Sequence, residues 1–242
     1  MKKIALCFHG QPRGFEIAIG YQNKNLINRE DISVDVFFHT WDYSDKINGI
    51  NQKLLNFYNP KGFFFEIPPS TQISQKYENG NGNAYRNYSH YHSVYECDKL
   101  RRDYEKIKNI EYEWIVCTRF DVALNVVLNF NDMDSSKVYQ SDFDRSLYES
   151  NGFKVQNPVF ACGNGNNMQK YCSMIENLDV LYENTNKDID GHAIFGANIK
   201  MKGLSDNMQH LEMNHPFPPR GRDASPNSFV RDDFDMFNSL SK

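Results

Sequence analysis

The chain of 242 residues, 28.3 kDa, is long enough to bury a substantial core, and its 40% hydrophobic and 24% charged content is that of a folded globular protein. A formal net charge of −4 and a pI near 6.0 supply no global basic field, which argues against a non-specific nucleic-acid binder or an anionic-membrane binder. Any phosphate site must therefore be local.

Met1-Lys2-Lys3 leads into Ile4-Ala-Leu-Cys-Phe8, an apolar run too short for a signal-peptide core or a membrane span. Bounded by Gly10 and Pro12, it reads as a strand buried on both faces of a parallel sheet. Residues 15 to 29 carry Phe15, Ile19, Leu26 and Ile27 among polar positions and predict a helix, and Val34–Phe38 predicts a second strand. Strand, helix and strand in succession make a βαβ unit. A short helix is expected from Asn48 to Tyr58, and Gly62–Ile67 predicts a strand closed by Pro68-Pro69. Residues 70 to 84 read as a polar loop of a kind that is either mobile or a lid over a site.

Tyr88, Tyr91, Val94, Tyr95, Leu100, Tyr104 and Ile107 fall near helical spacing, so Tyr85–Lys108 reads as one long helix. Trp114–Thr118 is the next buried strand and runs directly into Arg119-Phe120-Asp121. Val138–Gln140 and Pro158–Ala161 are weaker strands, while helices are expected over Asn167–Tyr182 and over Asp190–Met201, the latter stopped by Gly203. The tail from His210 onward is proline-rich, basic at Arg220 and Arg222 and then acidic. No repeat and no interdomain linker interrupts the pattern, which predicts one mostly parallel, Rossmann-like α/β domain flanked by helices. The five cysteines, Cys7, Cys97, Cys117, Cys162 and Cys172, are odd in number and scattered without a Cys-x-x-Cys pair. That points to buried thiols in a reducing, cytoplasmic setting.

In open α/β sheets ligands bind outside the carboxyl ends of the strands, where loops converge and helix N-termini present free amides. Three polar clusters are predicted at such ends: Gly10-Gln11-Pro12-Arg13, His39-Thr40-Trp41-Asp42 and Thr118-Arg119-Phe120-Asp121. Gly10 permits close backbone approach, and Arg13 offers a fixed fork to phosphate or carboxylate oxygens. Trp41 offers a flat surface to a base or sugar, and Asp42 an acceptor for sugar hydroxyls; the alternative is a strand-end cap. Asp121 is a candidate ligand for Mg²⁺ or Mn²⁺ bridging a diphosphate, or else the partner of Arg119 in a structural ion pair. Neither a Walker A sequence nor G-x-G-x-x-G follows the first strand, which disfavours kinases and dinucleotide oxidoreductases.

The blocks at 4–13 (IALCFHGQPR), 35–42 (DVFFHTWD) and 112–121 (YEWIVCTRFD) resemble the ordered blocks of a loosely defined family of GT-A-type glycosyltransferases. Its members come from bacterial surface-polysaccharide loci and large DNA viruses, and the likeness spans residues 1 to 205. The resemblance implies a nucleotide-sugar donor, a UDP- or GDP-sugar, over residues 1–130, with an acceptor half and tail over 131–242. It places Arg-x-Asp where such enzymes carry Asp-x-Asp, makes Asp121 the metal or donor-sugar contact, and sets Gly10, Gln11 and Arg13 near the nucleotide. With Arg119 in place of a first aspartate, the guanidinium itself can neutralise diphosphate charge, so metal dependence is an open alternative. Asp190 is a candidate general base or acceptor contact, or only an N-cap, with Asp142 and Asp144 as rivals. His192, His210 and His215 are candidate metal or phosphate partners, and Arg220 and Arg222 a C-terminal clamp over the diphosphate or a solvated tail. The expected activity is sugar transfer to a glycan or glycoconjugate acceptor; the rivals are a silent carbohydrate- or nucleotide-binding protein and a nucleotidyltransferase.

Overall fold

The computed structural model describes residues 1–12, 14–42, 49–68, 76–77, 84–141, 149–150, 153–154, 159–189 and 191–211. β1 (Lys2–His9), α1 (Phe15–Gln22), β2 (Ile32–Trp41), α2 (Ile50–Tyr58) and β3 (Gly62–Glu66) follow in order. Then come α3 (Ala84–Lys108), β4 (Trp114–Arg119), β5 (Val138–Ser141), a two-residue hairpin of β6 (Glu149–Ser150) with β7 (Phe153–Lys154), and β8 (Phe160–Gly163). α4 (Gly165–Cys172), α5 (Leu178–Asn184), α6 (Gly191–Met201) and β9 (Met208–Leu211) complete the described chain.

The main sheet has seven strands in the order β3-β2-β1-β4-β8-β5-β9. Every pairing is parallel except the two made by β8, so the sheet is mostly parallel, as the apolar runs predicted. Alternation along the strands assigns each face its helices. Ile4, Leu6 and Phe8 pack with Phe15, Ile19, Leu54 and Tyr58 of α1 and α2. Ala5, Cys7, Phe37, Ile115 and Cys117 pack with Tyr91, Val94 and Cys97 of α3 and with α4 to α6. The result is a helix–sheet–helix sandwich.

Three elements differ from the sequence reading. The first helix stops being α-helical at Gln22 and continues as a π-helical turn, Asn23–Ile27, which aims Asn25 at the carbonyl of Leu124. The helix expected over Asn167–Tyr182 breaks into α4, a 3₁₀ turn (Met174–Asn177) and α5. The break has a polar cause: Ser173 Oγ donates to the Lys170 carbonyl and the buried Asn198 amide donates to the carbonyls of Lys170 and Tyr171, satisfying the helix end. β9 (Met208–Leu211), which runs into the segment read as tail from His210, adds an edge strand parallel to β5. The five cysteines are buried and free, so each packs as a small hydrophobe. The loop expected at 70 to 84 falls almost wholly outside the described residues.

Candidate functional site

The strand order reverses between β1 and β4: β2 and β3 extend the sheet to one side of β1, and β4 lies on the other. The carboxyl ends of strands at such a reversal are where open α/β sheets place their ligand crevice. Here the segments that follow β1 and β4 come together on one face, Gly14 against Asp121 and Gln22 against the carbonyls of Phe120 and Val122. The register places Phe64, His39, His9 and Arg119 opposite one another on β3, β2, β1 and β4. Partners in a parallel ladder share a face, so these side chains form a row beneath α3.

α3 covers the row with His90, His92 and Ser93. His9 is buried, with the His90 ring edge-on at 4.9 Å, and among the described residues neither of its ring nitrogens has a hydrogen-bond partner. Burial first, then the neighbouring His90, Arg119 and His39, hold its pKa well below the usual histidine value, so His9 is a neutral imidazole.

Ser93 is a junction. Its Oγ accepts from the Gly10 backbone N–H at 2.7 Å, lies 2.9 Å from His39 Nδ1 and reaches the His39 carbonyl at 3.1 Å. His39 Nε2 and His92 Nε2 both lie 2.8 Å from the same oxygen, Oε2, of Glu66. Burial alone would raise the Glu66 carboxyl, but the two imidazole hydrogen bonds outweigh it and keep it below its ordinary range. His39 is lowered by burial despite the attraction of Glu66. Trp41 stacks on His92 at 5.7 Å and meets His39 edge-on at 5.1 Å, fixing both rings.

At the far end of the row Arg119 Nε donates to Asp121 Oδ1 at 2.9 Å and Nη2 donates to Oδ2, a two-pronged pair. Asp121 is only 7% exposed. Its loop is clamped from behind by Gln22 of α1, whose buried amide donates to the carbonyls of Phe120 at 3.1 Å and Val122 at 2.9 Å. The Tyr58 hydroxyl in turn donates to Gln22 Oε1 at 2.9 Å. Gly14, the N-cap of α1 with φ of 65°, sits against the same residue: a Cβ there would lie 3.4 Å from Asp121 Cβ. The glycine thus meets a left-handed backbone and a close approach at once.

Of the residues singled out in the sequence, Gly10, Arg119 and Asp121 meet at this crevice. Gln11 is exposed beside it. Trp41 is 3% exposed, and one face of its ring covers His92. Asp42 continues the strand ladder, its N–H donating to the Glu66 carbonyl at 2.7 Å, and accepts from Asn51 of α2 at 3.0 Å. His192 is half-buried in the first turn of α6, whose Gly191 faces Asn87 of α3. His210 pairs in register with Gln140 on the outermost strand, remote from the crevice. Arg13, Asp142, Asp144, Asp190, His215, Arg220 and Arg222 lie outside the described residues. The sequence reading did not single out His9, Gln22, Glu66, His90, His92 or Ser93 for the site. The signal for two of them was His-x-His in the long helix, whose members point to different strands because residues two apart do not share a helix face.

No family model matches the chain, and no curated protein matches it. Among solved structures, an active-site mutant of LgtC aligns with TM-score 0.51 at 10% identity, over 86% of this chain and 72% of that one. LgtC in complex with donor and acceptor sugar analogues aligns with TM-score 0.46 at 11% identity, over 86% and 72%. The apo form of the glycosyltransferase GlyE from Streptococcus pneumoniae TIGR4 aligns with TM-score 0.48 at 10% identity, over 98% of this chain and 51% of that one. The chain thus spans about half the length of GlyE. The first of these likenesses, with the mostly parallel sheet, makes the fold GT-A-like.

Proposed function

We propose that this chain is a glycosyltransferase that binds a UDP- or GDP-sugar in the crevice between β1 and β4 and transfers the sugar to a glycan or glycoconjugate acceptor. The observation that carries the reading is the position of Asp121: a nearly buried carboxylate at the reversal point of a GT-A-like sheet, pressed against the first turn of α1. Gly14 has no side chain to cap that helix, so its leading amides are presented to a phosphate. Gly10, with φ of 87° and, among the described residues, no atom within 4 Å of an added Cβ, leaves room for a ligand beside the β1 loop. Arg119 supplies the fixed positive charge for the leaving diphosphate, with Arg13, Arg220 and Arg222 as further candidates.

A resident divalent ion at Asp121 does not fit the residues described. Both oxygens face the guanidinium, and no group of three ligating side chains among the described residues includes Asp121. The base that an inverting transfer needs is assigned to Asp190, one residue before α6. The neutralisation of Asp121 by Arg119 also favours a second reading, a silent nucleotide- or sugar-binding protein, which would bind the same ligands without turnover.

The test is a thermal-shift screen against UDP, GDP, CDP and dTDP, each in Mn²⁺ and in EDTA. One of UDP or GDP should stabilise the protein, by about 2.7 kcal/mol at a hundred times its dissociation constant. The shift should persist in EDTA and vanish in Asp121→Ala. If no nucleotide moves the transition, the donor site is refuted. Slow release of the nucleoside diphosphate from the matching nucleotide sugar separates the transferase from the silent binder.

A further inference from the structure

We propose that His39, Glu66 and His92 form a binding site for a first-row transition-metal dication of the Zn²⁺ class. The proposal does not depend on the nucleotide-sugar reading. Three elements, the end of β2, the end of β3 and the middle of α3, each contribute one ligand, and the ligating atoms all lie within 4.8 Å of one another. Two imidazoles and a carboxylate are a donor set suited to zinc and its neighbours rather than to Mg²⁺ or Ca²⁺, which prefer oxygen alone. Ligand atoms at tetrahedral zinc distances lie about 3.4 Å apart. The two 2.8 Å contacts to Glu66 and the 4.8 Å limit bracket that spacing, so small side-chain rotations suffice.

The hydrogen bonding around Ser93 provides the second support. Without metal, His39 Nε2–H donates to Glu66, and Ser93 Oγ–H donates to Nδ1, which leaves one lone pair of the hydroxyl unused. With Nε2 on a cation, the ring carries its proton on Nδ1 and donates to Ser93. The hydroxyl then gives its own proton to the His39 carbonyl, already 3.1 Å away, while still accepting from Gly10 N–H. Ser93 is then fully satisfied while Nε2 offers its lone pair to the cation. This is the outer-shell support that metal-binding histidines require. The aromatic faces of Trp41 and Tyr88 hold His92, and Phe64 meets His39 edge-on. Glu66 and His92 are partly exposed, with 31% and 23% of their side-chain surface accessible, so an ion has a path in and an outward coordination position for water or an anionic oxygen.

The test uses the full chain, stripped with EDTA and desalted, with no nucleotide present. Calorimetric titration should show one Zn²⁺ per chain, undisturbed by excess Mg²⁺. His92→Gln and Glu66→Gln should each abolish that binding, and Ser93→Ala should weaken it by about 10- to 100-fold. Co²⁺ should give d–d absorption without a thiolate charge-transfer band. No saturable binding, affinity unchanged in His92→Gln and Glu66→Gln, or a thiolate band that moves the ion to the free cysteines would each overturn the proposal. If either substituted chain fails to fold, the Co²⁺ spectrum of the unsubstituted chain and the other variant decide.

Discussion

Two carboxylates stand at strand ends on the same edge of the sheet, and their partners make them different devices. Asp121 is gripped by a guanidinium through both oxygens, and its loop is braced by Gln22 and Tyr58. Glu66, the last residue of β3, offers one oxygen to two imidazoles and stays partly open to water. A guanidinium keeps its proton at any pH a folded protein survives, so the first pair is a fixed post. An imidazole can gain a proton, lose one or exchange it for a metal, so the second cluster can be rearranged. Rigidity at one end of the row and adaptability at the other follow from that single choice of partner.

The contrast is broken most severely by Arg119→Ala, which leaves a nearly buried carboxylate without its countercharge. Loss of a fully buried partner costs about 3–5 kcal/mol, and the slight exposure of this pair places the expected loss near the lower end, about 3 kcal/mol, read from urea unfolding. Gln22→Leu comes next. It removes the donor from two buried carbonyls and the acceptor from Tyr58, for an expected loss of roughly 2–3 kcal/mol. A change within about 0.5 kcal/mol of zero would show that water replaces the amide and that Asp121 is not clamped.

Acidification tests the adaptable side. His9 and His39 both have folded-state values below the unfolded one, so the stability they support is present above about pH 6.5 and is lost as pH falls from there toward their folded values. An imidazole that stays neutral in the fold at pH 5.5 costs at most about 1.4 kcal/mol relative to neutral pH. Glu66, also lowered, adds a loss of the same sign only at pH below the ordinary carboxylate range. His9→Phe should shrink the difference in unfolding free energy between pH 7.5 and pH 5.5 by the part that His9 contributes. An unchanged difference would mean that His9 is not the buried neutral group described.

The fold was legible where apolar runs were continuous. β1, β2 and β4 and the long helix α3 lie where the sequence predicts them, because burial on both strand faces leaves only one reading. The broken helix at Ser173 and the edge strand Met208–Leu211 were not, since side-chain hydrogen bonds end the first and the second is half-exposed and lacks an apolar run. In the site, Arg119 with Asp121 and the Gly10 loop were visible as polar residues directly after buried strands. Gln22, Glu66, His92 and Ser93 were not, because each acquires meaning only through register and helix rotation. Gln22 meets Phe120 across 98 residues of chain, and His92 meets Glu66 across 26.

The smallest expected effect is also the sharpest check of the contrast. His92→Gln removes one of two hydrogen bonds to Glu66 and one ring from the Trp41 stack, yet the carboxylate keeps His39 and has water within reach. A hydrogen bond lost at a site that solvent can refill costs at most about 1 kcal/mol, against about 3 kcal/mol when Asp121 loses Arg119. With metal excluded by EDTA, the urea midpoint of His92→Gln should therefore fall only slightly, with the slope of the transition unchanged. A loss as large as that of Arg119→Ala would mean that Glu66 is as rigidly held as Asp121, and the two ends of the row would no longer be different in kind.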